Sequence, residues 1–427
     1  MSGFTDILSS VLDRGARLID WPRQDGLELL QGLTVELLSS KGEASGIALA
    51  SAIFDGYAEL HPDDRLAFFE YLGTQHDPDP EAVSEAAARF ATVGDASALA
   101  ALQTAAEPPR QELFRRLNMA PGGTARLVAM RTDLLGFMRD HPDLRRIDVD
   151  FSHLLASWFN RGFLILRPID WTTPAMILEK IIEYEAVHQI DSWDELRRRV
   201  NPQDRRCMAF FHPSMPDEPL IFVEIALMRT VPTSIGQVLD PDRPQIQEEE
   251  ATTAVFYSIS NCQAGLAGVS FGAFLIKQVA RDLGRALPRL DTFVTLSPVP
   301  GFHRWLQTKS EDPGAVDLIE RLASEDPAQA IADQEAAVMR LAAEYFLDAK
   351  RADGQPPDPV ARFHLGNGAE LDAIRWMGDP SEKGLGAAAG LMVNYRYRLD
   401  RIETNHEAYV GQGSIVAARA VRNLLRN

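Results

Sequence analysis

From residue 4 to about residue 150, apolar residues recur every three or four positions, in 7–18, 27–38, 47–57, 66–72 and 127–137. This spacing gives a helix one apolar face. Proline and glycine punctuate the run: His61-Pro62, residues 78–80, Pro108-Pro109 and Pro121-Gly122-Gly123 mark where one helix stops and the next begins. No repeat of fixed period occurs, so the pattern predicts a helical bundle rather than a solenoid. His61, His76 and His141 fall in polar or proline-flanked turns and read as solvated surface residues.

The texture changes after Asp150. Residues 163–169, FLILRPI, predict a strand, and Thr173-Pro174 opens a helix through Ile177, Ile181 and Ile182, with proline at a tolerated first-turn position. Residues 206–211 and 220–228 flank Pro216-Asp217-Glu218-Pro219 and predict an antiparallel hairpin, followed by an acidic solvated loop over 240–250. Residues 254–260 form a β-branched and aromatic strand, and a helix starts near Phe271 with Phe274, Leu275, Val279 and Leu283 on its apolar side. A strand over 292–296 ends at Ser297-Pro298. An Asp/Glu/Ala-rich helical excursion over 316–348 precedes two more strands, 371–377 and 391–397, then a polar loop containing His406 and a closing helix from Ser414. The late strands suggest a mixed sheet of acyltransferase type.

Between strand and helix lie Gly265 and Gly268. A glycine loop opening a helix presents unpaired N–H groups and the positive end of the helix dipole, which suits a phosphate or pyrophosphate. The same glycines also serve a plain tight connection, and spacing leaves both readings open. Neither a P-loop nor a Gly-x-Gly-x-x-Gly sequence is present, so mononucleotide and dinucleotide folds lose support. Gly268-Val269-Ser270-Phe271-Gly272 matches the Gly-x-Ser-x-Gly of a serine hydrolase, with His364 or His406 downstream in the right order. Residues 263–268 separate the strand from that serine, whereas a nucleophile elbow needs the strand to run straight into it. A thioesterase using Ser270 is therefore the second choice.

At 427 residues the chain suits two domains. A net charge of −18 argues against nucleic acid as the main partner, because such binding needs a basic face. Cys207 and Cys262 are too few for a disulfide framework, lack zinc-type neighbours, and read as buried free thiols. No metal site is expected. The first twenty residues, MSGFTDILSSVLDRGARLID, are amphipathic and partly acidic, unlike a secretory signal or transit peptide. No apolar run approaches the roughly 20 residues that span a bilayer, so a cytoplasmic protein with no membrane partner is expected.

Five segments occur in an order that resembles the malonyl-CoA decarboxylase family: FYSIS at 256–260, GLAGV with FLIKQV around the loop and helix, LSPVPGF at 296–302, ARFHLGNGA at 361–369 and GLMVNYRY at 390–397. Similarity is dense from about Trp158 to the C-terminus and looser before it. The resemblance implies an all-α helical domain over 1–155, with an oligomerisation role, and a GNAT-like mixed-sheet catalytic domain over 156–427, an α+β or α/β mixed fold. It implies malonyl-CoA as substrate, decarboxylation to acetyl-CoA, no cofactor, and a homo-oligomer on the scale of a tetramer.

By the same resemblance, Ser297 of Leu-Ser-Pro and His364 of Phe-His-Leu are the catalytic pair, with Ser258 and Tyr397 in support. Ala267, Gly268, Val269, Ser270, Phe271, Gly272 and Ala273 fall on the loop for the CoA pyrophosphate. Ser270 stands where a glutamate is expected, so no role of that carboxylate transfers to this chain. Chemically, an imidazole of ordinary pKa near 6.5 stabilises an enolate and returns a proton to its α-carbon, while a serine hydroxyl orients the leaving carboxylate or relays the proton. On local pattern alone, the favoured reading of Ser297 is a turn residue before proline and that of His364 a helix-end residue. A CoA-binding scaffold without catalysis is the third reading.

Overall fold

The computed structural model describes residues 26–39, 42–269 and 272–426. The predicted helix over 7–18, together with Ser270 and Phe271, lies outside the described residues. The chain divides into two units.

The first unit contains the described residues of Met1–Phe163, with His212–Pro216 and Gln263–Ser270. Its helices include Gly26–Ser39, Glu43–Glu59, Pro62–Gln75, Pro80–Val93, Ala96–Ala106, Pro109–Leu117, Gly123–Phe137 and Arg145–Trp158. Pro62, Pro80 and Pro109 each open a helix, where a missing N–H costs nothing. Asp79 and Asp95 cap helices by accepting from Glu81 N and Ala98 N. The interior is the apolar stripe read from sequence: Leu30, Ile53, Phe68, Phe69, Leu127 and Leu134 are fully buried, and Phe114 stacks on Phe151 with centroids 4.1 Å apart. His76 corrects the expectation of a solvated residue. It is 7% exposed, its Nε2 lies 3.0 Å from Tyr71 Oη, and burial lowers its pKa. As the residue ending Pro62–Gln75 it turns inward beside Arg110, whose guanidinium is itself buried against Asp77 and Asp150.

The second unit is built on eight strands: β1 (Ile165–Ile169), β2 (Arg205–Phe211), β3 (Ile221–Met228), β4 (Thr253–Asn261), β5 (Thr292–Thr295), β6 (Ser297–Pro298), β7 (Glu370–Arg375) and β8 (Met392–Arg396). Their order is β1-β2-β3-β4-β5-β8-β6, with β7 paired to β8. The first four are mutually antiparallel, β4 and β5 run parallel, and β8 is antiparallel to its neighbours. A parallel pair cannot be closed by a hairpin, which is why the glycine loop and the helix Gly272–Ala286 must intervene between β4 and β5. A helical region followed by a mixed sheet is the order of elements that the resemblance implies. β3, IFVEIALM, is buried at seven of its eight positions, as expected of a central strand.

Two expectations for the C-terminus need correction. Residues 402–412 form a helix, Ile402–Gln412, and not a polar loop; only Ile402 and Asn405 are buried, so no apolar stripe announces it. The closing helix is Arg419–Asn423 and does not start at Ser414, because the segment before it extends along β7, with Leu371 N bonded to Val416 O and Ala418 N to Leu371 O at 2.9 Å each. Among the described residues, no helix is long and apolar enough to cross a membrane.

Candidate active site

β5 and β6 are one strand interrupted at Leu296, whose N–H turns to Phe256 O. The interruption lets Thr295 and Ser297 approach each other, and the Ser297 hydroxyl donates to Thr295 Oγ1 at 2.9 Å. Thr295 Oγ1 also accepts from Tyr395 N at 3.1 Å, and Asn394 Nδ2 donates to Thr295 O at 2.7 Å, so β8 clamps the serine's support.

His364 comes from the helix Pro359–Gly366, whose start is fixed by Asp358. One carboxylate oxygen accepts from Ala361 N at 2.8 Å, and the other accepts from Tyr345 Oη at 3.2 Å and Gly301 N at 3.4 Å. This carboxylate thus ties the histidine's helix to the chain just beyond Ser297. At the other end, His406 Nδ1 lies 2.6 Å from Gly366 O, which gives His406 a structural partner rather than a place at the site.

The two motif residues, 67 positions apart in sequence, meet: Ser297 Oγ lies 3.2 Å from His364 Nε2. Tyr397 Oη lies 2.8 Å from His364 Nδ1, and Tyr395 stacks under the imidazole at 4.6 Å. The file has a direction. Because Ser297 spends its proton on Thr295, it accepts at Nε2, so that nitrogen carries the hydrogen; Nδ1 then accepts from the Tyr397 phenol. Burial lowers the His364 pKa to about 3, below the ordinary value expected from sequence. The resting imidazole is neutral and offers Nε2–H as a donor. Burial likewise pushes Tyr397 well above the usual phenol range, keeping it a donor.

A buried neutral histidine couples stability to acid. Between about 6.5 and about 3 the unfolded chain takes up a proton at His364 that the folded chain refuses, so stability is full above the ordinary imidazole range and falls as pH drops through that window. We expect the melting temperature of wild type to fall more steeply between those pH values than that of His364→Gln, by scanning calorimetry. Parallel acid limbs would refute a neutral buried imidazole.

Ser297 and His364 open into a cleft of about 360 Å³. Its other walls are mostly apolar, from Val187, Phe256, Ile259, Pro298, Val360 and Phe363, with Asn261 and Tyr257 adding polar groups and no cation among the lining residues. Opposite Glu224 and Ile225 the β3–β4 register slips by one residue, leaving Tyr257 as a bulge beside the cleft.

Ser258 takes a different place from Ser297 and His364. Its hydroxyl lies 2.7 Å from both oxygens of Glu185, and it does not line the cleft. Glu185 also accepts from Ser260 Oγ at 3.2 Å and from Val187 N and His188 N at 2.9 and 2.8 Å. Ser258 therefore bears on the site by holding the turn that brings Val187 to its wall. Nothing in the sequence pattern marked Glu185.

Of the loop, Ala267, Gly268 and Val269 are described, and Gly272 and Ala273 begin the helix Gly272–Ala286, while Ser270 and Phe271 lie outside the described residues. Gly268 has φ +81°, a conformation that favours glycine. At Gly265 a β-carbon would sit 1.9 Å from Val128 O, so the two backbones touch. Arg131, a residue the sequence reading passed over, donates to Gly265 O at 2.7 Å and Ala267 O at 2.9 Å, and is itself held by Asp148 and Ser152. Lys277 and Arg281 reach Glu403 at 3.4 and 3.9 Å. His212 Nε2 lies 3.1 Å from Trp158 O, and Cys207 and Cys262 are buried free thiols as expected.

The model of the malonyl-CoA decarboxylase N-terminal domain matches residues 76–159, and that of the malonyl-CoA decarboxylase C-terminal domain matches residues 162–427. A crystal structure of malonyl-CoA decarboxylase from Rhodopseudomonas palustris is 52% identical, covers 94% of this chain and 100% of its own, and superposes with a TM-score of 0.87. That from Agrobacterium vitis is 50% identical over 93% of this chain and 99% of its own, with a TM-score of 0.88. The mitochondrial malonyl-CoA decarboxylase of the goose Anser anser anser is 38% identical over 349 residues, 74% of this chain and 69% of that protein. The chain belongs to the malonyl-CoA decarboxylase family of carboxy-lyases.

Proposed function

We propose that this protein converts malonyl-CoA to acetyl-CoA and carbon dioxide without a cofactor, with His364, Ser297 and Tyr397 carrying the chemistry. The observation that supports this most directly is the hydrogen-bonded file Tyr397–His364–Ser297 ending in an apolar cleft. Cleavage of the bond between the α-carbon and the carboxylate releases carbon dioxide and leaves its electron pair on the thioester as an enolate. A charged carboxylate becomes a neutral gas, so walls that exclude water and carry no cation disfavour the starting state relative to the transition state. The neutral His364 Nε2–H faces the developing enolate as a preorganised donor.

The product needs one proton at the α-carbon. His364 Nε2 gives it, directly or through the Ser297 hydroxyl, while Nδ1 takes the Tyr397 phenol proton; a proton from water at Nε2 and return of the Nδ1 proton to the phenolate then restore both groups. A thioester enolate is a far stronger base than a phenolate, so the transfer runs downhill even with Tyr397 raised. Ser297 turns from Thr295 toward the substrate to hold the carboxylate out of the thioester plane. Loop residues Ala267–Ala273 are assigned to the CoA pyrophosphate, on the strength of the left-handed Gly268 and the helix that follows.

Purified protein incubated with malonyl-CoA and a chelator should release carbon dioxide and acetyl-CoA in equal amounts; free malonate and CoA would instead indicate a thioesterase. Ser297→Ala should lower turnover, whereas Ser270→Ala should cost at most one hydrogen bond to the ligand, about 0.5–1.5 kcal/mol, expressed mainly in KM. A covalent acyl group on Ser270 in a mass spectrum would overturn the assignment.

A further inference from the structure

At the end of β4 opposite the one that leads into the glycine loop lies a second, smaller pocket of about 50 Å³. It sits where β2 begins and β3 ends, since Arg205 pairs with Ala226 and Ala226 with Val255 near the start of β4. The catalytic cleft runs along the same strand from Phe256 and Tyr257 to Asn261 at its far end, which leads toward the glycine loop. Four arginines line the small pocket, Arg198, Arg199, Arg205 and Arg243, with Glu195 and Asp240 as its acids.

Each guanidinium has five N–H donors, and those of the two buried arginines are not all spent. Arg199, 3% exposed, donates to His188 O, Gln189 O, Glu195 and Glu224 at 2.7, 3.0, 2.6 and 3.1 Å, and its Nε is buried with no acceptor. Arg205, 4% exposed, donates to Asp204 O at 2.9 Å and Val238 O at 2.6 Å. Arg243 places both its amino groups on Asp204, at 2.5 and 3.0 Å, so one carboxylate serves two guanidinium groups. Arg198 has no ion-pair partner among the described residues, and Asp240 spends its carboxylate on Asp242 N. Burial, and after it Arg243, hold Arg205 below the usual guanidinium range, and burial raises the Glu224 carboxyl against the pull of Arg199.

Buried donors without acceptors are costly, and like charges brought together are costly again. Both costs are relieved by one ligand, a small anion with several acceptor oxygens. We propose that the pocket lined by Arg198, Arg199, Arg205 and Arg243 binds a free oxyanion of about phosphate size, at a site separate from that for the CoA phosphates. Its dimensions admit an ion and not a nucleotide, and planar guanidinium forks match oxyanion geometry.

The test is a calorimetric titration of the full-length protein with sodium phosphate at ionic strength held constant with chloride. Saturable binding of one phosphate per chain is expected, unchanged when coenzyme A is present in excess. Arg198→Ala alters an exposed side chain that leaves the fold intact, and should weaken phosphate binding about tenfold. Arg205→Lys, which keeps the charge and loses the fork, should weaken it as well. Selenate soaked into crystals should give an anomalous peak among the four arginines. The proposal fails if no saturable heat appears up to the solubility of phosphate, if coenzyme A displaces the ion, or if both variants bind as tightly as wild type.

Discussion

Replacing His364 with alanine should lower kcat about 10²–10⁴-fold and leave the affinity for coenzyme A almost untouched. The magnitude is that of a positioned proton donor acting in the transition state. The split follows from the proposed places: His364 meets the cleft at Ser297, where the acyl group is proposed to react, and no described residue of the loop assigned to the phosphates lines that cleft. The pH dependence separates this role from that of a conventional imidazolium acid. With its pKa held at about 3, His364 stays neutral across the working range, so kcat/KM of wild type should show no loss of activity attributable to this ring as pH rises through 6.5. A rate that falls above 6.5 with the titration of one histidine, and loses that limb in His364→Gln, would mean the ring works as a cation. A folded His364→Ala protein with full turnover would remove His364 from the chemistry altogether.

The sequence shows the layout of the fold wherever an apolar period is unbroken. The helices at 26–39, 43–59 and 123–137, and the strands β2 to β5, follow directly from such periods. The helix at 402–412 escapes because its neighbours bury little of it, and β6 escapes because two residues are too short for a period. For the site, Ser297, His364 and Tyr397 were legible only as words of ordered motifs. No periodicity relates residues 67 and 33 positions apart, and their meeting is a property of sheet order, with β8 inserted between β5 and β6. Glu185 and Arg131 were illegible for a different reason. Each works in part through backbone groups, the carboxylate gathering N–H groups of its own turn and the guanidinium gathering loop carbonyls, and a backbone partner leaves no trace in residue identity. The depressed pKa of His364 belongs to the same class, since burial is set by segments distant in the chain.

Tyr397→Phe is the substitution that tests the direction of the hydrogen-bonded file. It removes one oxygen, 2.8 Å from His364 Nδ1, and preserves the ring that packs there. The imidazole then has two neutral choices. With the hydrogen kept on Nε2, Nδ1 becomes a buried acceptor with no donor; with the hydrogen moved to Nδ1, a buried N–H faces a phenyl ring and Nε2 turns acceptor toward Ser297. An unsatisfied buried group costs about 1–3 kcal/mol, which corresponds to about 5–150-fold in rate if the whole cost falls on the catalytic tautomer. Turnover should therefore drop by that factor, KM should change little, and the melting temperature should fall by a few degrees, in keeping with the size of the penalty. A loss of packing alone would also lower the melting temperature, so the deciding readout is the ¹⁵N shift of the two ring nitrogens. Wild type should show hydrogen on Nε2 of His364, and the variant a mixture or the opposite tautomer. If the wild-type ring carries its hydrogen on Nδ1, Tyr397 is an acceptor, Ser297 must donate to Nε2, and the proton runs through the file in the reverse sense.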